Sequence, residues 1–232
     1  MGDITKISAS EIPPHDVICG GFPCQPFSIS GNHQGFKDGR GTLLHEILRI
    51  TKHHQPKVLL LENVKNYQSH GGGKTLATTI RLLEEANYQV NFEVLNASRY
   101  GIAQKRERIY FVCFRKDLKI SGFSFPEPSD ELVSLEDHLL CPKDPRLKEL
   151  IIERSDLRLD KILPKEVKNR PLRIGTVGKG GQGERVYSTK GHAITLSAFG
   201  GGIGAKTGMY LVAGRVRRLH PEECRRLMGF PE

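Results

Sequence analysis

The chain has 232 residues, enough for one large domain or two small ones, and a hydrophobic share of 38% supports a packed core rather than disorder. Lys and Arg number 35 against 26 Asp and Glu, a formal charge of +9 with a pI near 9.4, which points to an acidic partner, nucleic acid first. No apolar run approaches the ~18 residues of a membrane span, no basic-then-apolar signal region opens the chain, and five scattered cysteines without a CxxC pair predict a reducing cytoplasm with neither a disulfide framework nor zinc.

Taken in order, Asp3-Ile4 reads on its own as a solvated acid and its neighbour. Asp16-Val17-Ile18-Cys19 reads as a buried strand ending at Gly20-Gly21, a pair that allows close approach of backbone and ligand. Next comes Phe22-Pro23-Cys24-Gln25-Pro26. Two prolines restrict Cys24 from both sides, which on a loop after a strand suits a nucleophile. A lone cysteine would more often be a small buried hydrophobe. Ser28 to Gly41 is rich in Gly, Ser and basic residues and reads as an active-site loop able to close on a substrate. Its Ser28, Ser30 and Arg40 suit phosphate contacts. Thr42 caps a predicted helix to about His54, with Leu44, Ile47 and Leu48 on one face and Pro56 ending it.

Lys57-Val58-Leu59-Leu60-Leu61 is unbroken in hydrophobicity, as parallel strands buried on both faces are, and it ends at Glu62-Asn63. A carboxylate there would lie beside the Cys24 loop if the two strands are neighbours. A second helix is predicted from Lys74 to Ala86, and Val90, Phe92 and Val94 alternate as in an edge strand. Arg106 and Arg108 share parity before the strand Arg108–Phe114, so both face one side. From about Ser134 the chain turns polar, and a domain boundary is placed near Asp137.

Residues 173–211 are crowded with glycine, with short β segments expected at 173–177 and 193–196. Gly202-Ile203-Gly204-Ala205-Lys206-Thr207 fails the Walker phosphate-loop pattern, because Ala205 stands where a glycine is needed. Gln182, Arg185, Thr195 and Ser197 on such loops suit approach into a DNA groove. Pro221, Glu222-Glu223, Arg225-Arg226 and Gly229 punctuate a last helix.

Three motifs give these segments a common meaning. Pro23-Cys24-Gln25, Glu62-Asn63-Val64 and Gln104-Lys105-Arg106-Glu107-Arg108 stand in the order in which they occur in the DNA (cytosine-5) methyltransferases. The chain resembles that family, most of all the bacterial HhaI-type restriction-modification methyltransferases, from Gly2-Asp3-Ile4 to Met228-Gly229-Phe230-Pro231. The resemblance implies an α/β fold: an incomplete Rossmann-like methyltransferase domain at 1–136, a small Gly-rich β target-recognition domain at 137–214, and a return to the catalytic domain at 215–232. It implies transfer of a methyl group from S-adenosylmethionine to carbon 5 of cytosine in duplex DNA, in the bacterial cytoplasm. Cys24 would be the nucleophile, Glu62 would hold the ring, Arg108 and Arg106 would bind and brace it, and Asn63 would order the Cys24 loop.

Asp3, Ile4, Pro23 and Leu43 would remain of the cofactor pocket, and Arg154 and Arg173 would support the base-reading Gln182 and Arg185 at a short GC-rich site such as GCGC. The family's Phe-x-Gly-x-Gly strand, its ribose-binding acid and its Gly-Asn-Ser segment have no counterpart here. The expectation is therefore the inner part of an enzyme: a fragment, an interrupted gene product, or one part of a split enzyme completed by a second chain. A companion restriction endonuclease is expected in the same system, with no membrane partner and no metal. Two other readings stand beside the enzyme. One is a remnant that binds DNA without activity, the other an RNA-directed relative using the same Cys24 and Glu62.

Overall fold

The computed structural model describes residues 2–23, 43–129, 131–198, 201–204 and 206–231. The chain gathers into two units, residues 1–95 with 107–126, and residues 96–106 with 127–232. This grouping differs from the expected division at Asp137. It takes 96–106 and 215–232 into the second unit, because hydrogen bonds build them there. Ala193 N donates to Ala103 O at 2.8 Å and Lys105 N to Ala193 O at 2.9 Å, while Arg218 N donates to Leu150 O at 3.0 Å.

The first unit holds β1 (Val17–Gly21), α1 (Leu43–His54), β2 (Val58–Val64), α2 (Lys74–Glu85), β3 (Tyr88–Asn96) and β4 (Glu107–Arg115). The sheet order is β1-β2-β4-β3. β1 runs parallel to β2, and β2 antiparallel to β4. Period-two alternation sends Leu59 and Leu61 of β2 and Ile109, Phe111 and Cys113 of β4 to one face. There they pack with Leu44 and Leu48 of α1 and Leu83 of α2 in a single core. The predicted helices and the edge position of β3 agree with this arrangement.

Two expectations need correction. The stretch 16–19 was expected to be buried, but β1 is an edge strand among the described residues, and Val17 is 51% exposed. β2 was expected to be covered on both faces, but Leu60 is 41% exposed. Among the described residues the helices gather on the Leu59 and Leu61 face, so apolar continuity in β2 does not mean that both faces are covered. β2 runs through Glu62 and Asn63 to Val64, one residue past its expected end.

The second unit holds β5 (Arg158–Leu159), β6 (Arg173–Thr176), β7 (Arg185–Ser188), β8 (Met209–Val212), β9 (Arg215–Arg217) and α3 (Pro221–Leu227), with the strands in sequence order in one sheet. Neighbours are antiparallel except β7 and β8, which are parallel. The segment 193–196, expected as a strand, makes only an isolated bridge from Ala193 to Gln104. Arg217 and Glu223 form a buried bidentate pair, at 2.7 and 2.6 Å. Glu223 also accepts from Leu140 N at 2.9 Å and His220 N at 2.8 Å. One carboxylate thus joins α3, β9 and the chain at residue 140, with its partners satisfied as a buried charge requires.

Candidate active site

Cys24, with Ser28, Ser30, Arg40 and the rest of the predicted loop, lies outside the described residues. What leads into it is described. Gly21 of β1 pairs with Glu62 of β2 in the parallel ladder. Phe22 follows, buried, its ring edge-on to Tyr67 at 5.5 Å between centroids. Asn63 Nδ2 donates to Phe22 O at 2.8 Å from a buried position, and Asn63 Oδ1 accepts from Val64 N at 2.8 Å. An aromatic wedge and an amide therefore fix the backbone two residues before Cys24.

Glu62 emerges on the opposite face from Leu61 and Asn63. Its Oε1 lies 2.9 Å from Arg108 Nε of β4, with the Arg108 side chain 16% and the Glu62 side chain 33% exposed. Register explains the pairing: Tyr110 stands directly opposite Glu62, Arg108 opposite Val64, and all belong to one face. Arg108 Nη1 also donates to Glu107 O at 2.8 Å, which holds the guanidinium in place. A Cβ on Gly21 would stand 3.3 Å from Glu62 Oε2, so the glycine leaves room for the carboxylate. A charge-assisted pair, partly shielded from water and with carboxylate oxygens still reachable, is an arrangement that can hold a polar ring edge.

Arg106 belongs to the second unit, so the equal parity of Arg106 and Arg108 does not make them one site by itself. Its backbone is fixed by a residue that the sequence reading missed. Asn96 Oδ1 accepts from Arg106 N at 3.1 Å and from Ser98 N at 3.3 Å, and Ala97 N donates to Arg106 O at 3.0 Å. The loop 96–106 is cinched at its base. The signal was an Asn at a strand end, a common local cap.

Along β1 and α1 lies a cavity of about 410 Å³, lined by Ile4, Leu43, Ile47 and Ile50 with Gly20 and Gly21 between them. Ile4 and Leu43 were expected here. Glu46 and His15, which also line it, were not. Pro23 is exposed and Asp3 sits next to Ile4. Asp3 caps a short turn, accepting from Thr5 N at 3.0 Å and Thr5 Oγ1 at 2.8 Å, and these bonds hold its carboxyl below the usual range. An apolar slot of this size, floored by glycines and edged by a few polar groups, fits a flat heteroaromatic such as adenine.

In the second unit, Gln182 is exposed and begins a short turn, Gln182–Glu184, that leads into β7. Arg185 follows, and its buried Nε makes no hydrogen bond among the described residues. Arg173 of β6 reaches toward Gly180. The other expected contacts are already engaged. Arg154 chelates Asp156, with both bonds at 2.7 Å, which draws the Asp156 carboxyl down to about 2. Asp156 in turn accepts from Gly178 N at 3.0 Å, so Arg154 acts on the Gly-rich loop from behind. Thr195 Oγ1 donates to Lys105 O at 2.5 Å, and Ser197 N to Lys206 O at 2.8 Å.

With this geometry in place, the C-5 cytosine-specific DNA methylase family model matches residues 1–232. The chain belongs to that family. It is 53% identical over 231 residues to the type II methyltransferase M.HhaI of Haemophilus parahaemolyticus, covering all of this chain and 70% of that protein. It is 40% identical to M.NgoBI of Neisseria gonorrhoeae, again over the full chain and 68% of the relative. Among solved structures, the Dnmt2 methyltransferase of S. pombe superposes with a TM-score of 0.66 at 17% identity, covering 100% of this chain and 72% of that one, which shows the methyltransferase fold. The motifs read from the sequence thus lie in a chain of the family that they pointed to.

Proposed function

We propose that the chain transfers the methyl group of S-adenosylmethionine to carbon 5 of a cytosine in a short duplex DNA site, as part of a restriction-modification system in a bacterial cytoplasm. The observation that carries the site assignment is the Glu62–Arg108 pair beside the Phe22–Asn63 anchor, on the strand next to the one that leads into Pro23.

In this reading Cys24 Sγ, as thiolate, adds to carbon 6 of the ring. The electron pair moves toward carbon 5, and charge develops at ring nitrogen 3 and the exocyclic oxygen. Glu62 holds or protonates nitrogen 3, and Arg108 binds the oxygen while keeping Glu62 in place. Arg106, fixed through Asn96, braces the segment. Carbon 5 takes the methyl group, a base removes the carbon-5 proton, and the thiolate leaves, restoring the ring. Ring atoms in a duplex are out of reach, so the target base is flipped out. Ile4, Leu43, Asp3 and Pro23 would hold the adenosine part of the cofactor, which when bound supplies the methyl group as a sulfonium.

The part from 137 to 214 is assigned to reading the target, with Gln182 and Arg185 at base edges and Arg173 in support. Ser28, Ser30 and Arg40 are assigned to phosphate, and Thr195 and Ser197 to loops that approach the DNA groove. Residues 1–136 with 215–232 are assigned to catalysis. A second chain carrying the remaining cofactor-binding segments, and a restriction endonuclease of the same specificity, are the proposed partners.

The test is covalent capture. A duplex carrying 5-fluorocytosine at the inner cytosine of GCGC blocks the last proton removal, so the protein with cofactor and any complementing segment should form a stable adduct. Cys24→Ser should form none. An adduct formed by Cys24→Ser would remove Cys24 as nucleophile.

A further inference from the structure

Glycines in the second unit were expected to let the main chain approach DNA. At Gly183 the close neighbour is the protein itself. A Cβ there would stand 2.1 Å from Gly201 O and 3.3 Å from Gly202 Cα, a clash with backbone that no rotamer relieves. Gly204 N donates to Gly183 O at 2.8 Å, and a Cβ on Gly204 would lie 3.0 Å from that same oxygen. Two Gly-rich segments, 178–184 and 201–204, are therefore pressed main chain to main chain.

Each segment is also tied at its other side. Gly181 N donates to Glu184 Oε2 at 2.9 Å, and Gly178 N to Asp156 Oδ2 at 3.0 Å. Gly208 N donates to Gly204 O at 2.9 Å, and the Tyr210 hydroxyl donates to Thr207 O and accepts from Ile194 N, both at 3.0 Å. Gln182 and Arg185 stand on either side of the joint. Side chains on separate mobile loops would reach several base positions with similar energy. The same side chains on one fused frame reach one register.

We propose that Gly183 is a specificity-positioning residue. Its side-chain-free contact with Gly201, Gly202 and Gly204 fuses the two segments into one reading frame and sets the reach of Gln182 and Arg185. This rests on the reading of the second unit as the target reader.

The experiment measures affinity of the protein at fixed salt for a GCGC duplex and for its single-base variants, giving a discrimination ratio. The wild type should discriminate; if it binds all the duplexes equally, the reading of the unit fails, and with it the premise. Given discrimination, Gly183→Ala should lower the ratio by about tenfold or more while affinity for unrelated duplex stays within about twofold, since backbone phosphate contacts are untouched. Gly201→Ala is the matched control, because a Cβ there meets nothing within 4 Å. It leaves the Gly201 carbonyl in place, so its loss of ratio should be smaller than that of Gly183→Ala.

A ratio retained by Gly183→Ala overturns the proposal, as does an equal loss in Gly201→Ala. Should Gly183→Ala fail to fold, hydrogen exchange of the wild-type protein decides. The Gly204 amide should be protected, and exchange at the rate of a free peptide would show that the joint does not exist in solution.

Discussion

The Glu62–Arg108 pair explains why two oppositely charged side chains can share a site without cancelling its use. Arg108 takes one carboxylate oxygen, and the remaining exposure of Glu62 leaves the other side accessible. Glu62→Gln keeps the shape and removes the charge that pairs with Arg108 and that, in the proposed mechanism, holds the ring. The single-turnover methylation rate of the complemented enzyme should fall by about 10²–10⁴, while the circular dichroism spectrum stays unchanged; a fall below tenfold would take Glu62 out of the chemistry. Gly21 has a related role. It is a ladder partner of Glu62, and its missing Cβ keeps the carboxylate where Arg108 can reach it. From the sequence, Glu62 and Arg108 could be named because each stands in a short motif. Asn96 could not, since its role depends on a loop whose two ends meet only in the folded chain.

Among the elements, the helices were readable, α1 and α2 from their apolar faces and α3 from its punctuation by Pro221, paired charges and Gly229. α1, α2 and α3 appear within a residue or two of their predicted bounds. The short strands β7, β8 and β9 were not predicted. Runs of three or four residues hold too little period-two pattern to stand out among glycines. Nor could the coverage of β2 be read, since an apolar run does not say how many faces are packed. The element with most at stake is α3, fixed by the buried Arg217–Glu223 pair. Glu223→Ala leaves Arg217 charged and dry, and strands Leu140 N and His220 N without their acceptor. Urea unfolding of the second unit should show a loss of about 3–5 kcal/mol; a loss under about 1 kcal/mol would mean that water replaces the carboxylate.

For the molecule as a whole, acid should act first on the second unit. His192 is fully buried, and burial holds its pKa below the usual value, with the nearby Val133 backbone opposing. His138 is lowered too, by burial and by Arg226, with Asp137 opposing. A histidine with a depressed folded-state pKa binds its proton more readily when unfolded. Stability is therefore full above about 6.5, the unfolded value, and declines as pH falls from there toward the folded value. Thermal unfolding at pH 7.5 and 5.5 should show the drop, and His192→Leu should shrink it; an unchanged drop in that variant would move the cause elsewhere. The bonds that build 96–106 into the second unit carry a consequence for biosynthesis. Ala103 and Lys105 wait for Ala193, and the Gln104 side chain reaches Leu227 O at 3.4 Å. A ribosome making the chain at about 5–20 residues per second exposes that loop for several seconds before its partners exist. β4, whose first residue directly follows the loop, can pair with β2 long before then. The catalytic sheet therefore has the means to form early, with Arg106 held at the loop base by Asn96 and the Ala103–Lys105 tip still unanchored, and pulse-labelled nascent chains stalled between residues 160 and 190 would carry Arg108 in place and the Ala103–Lys105 tip free.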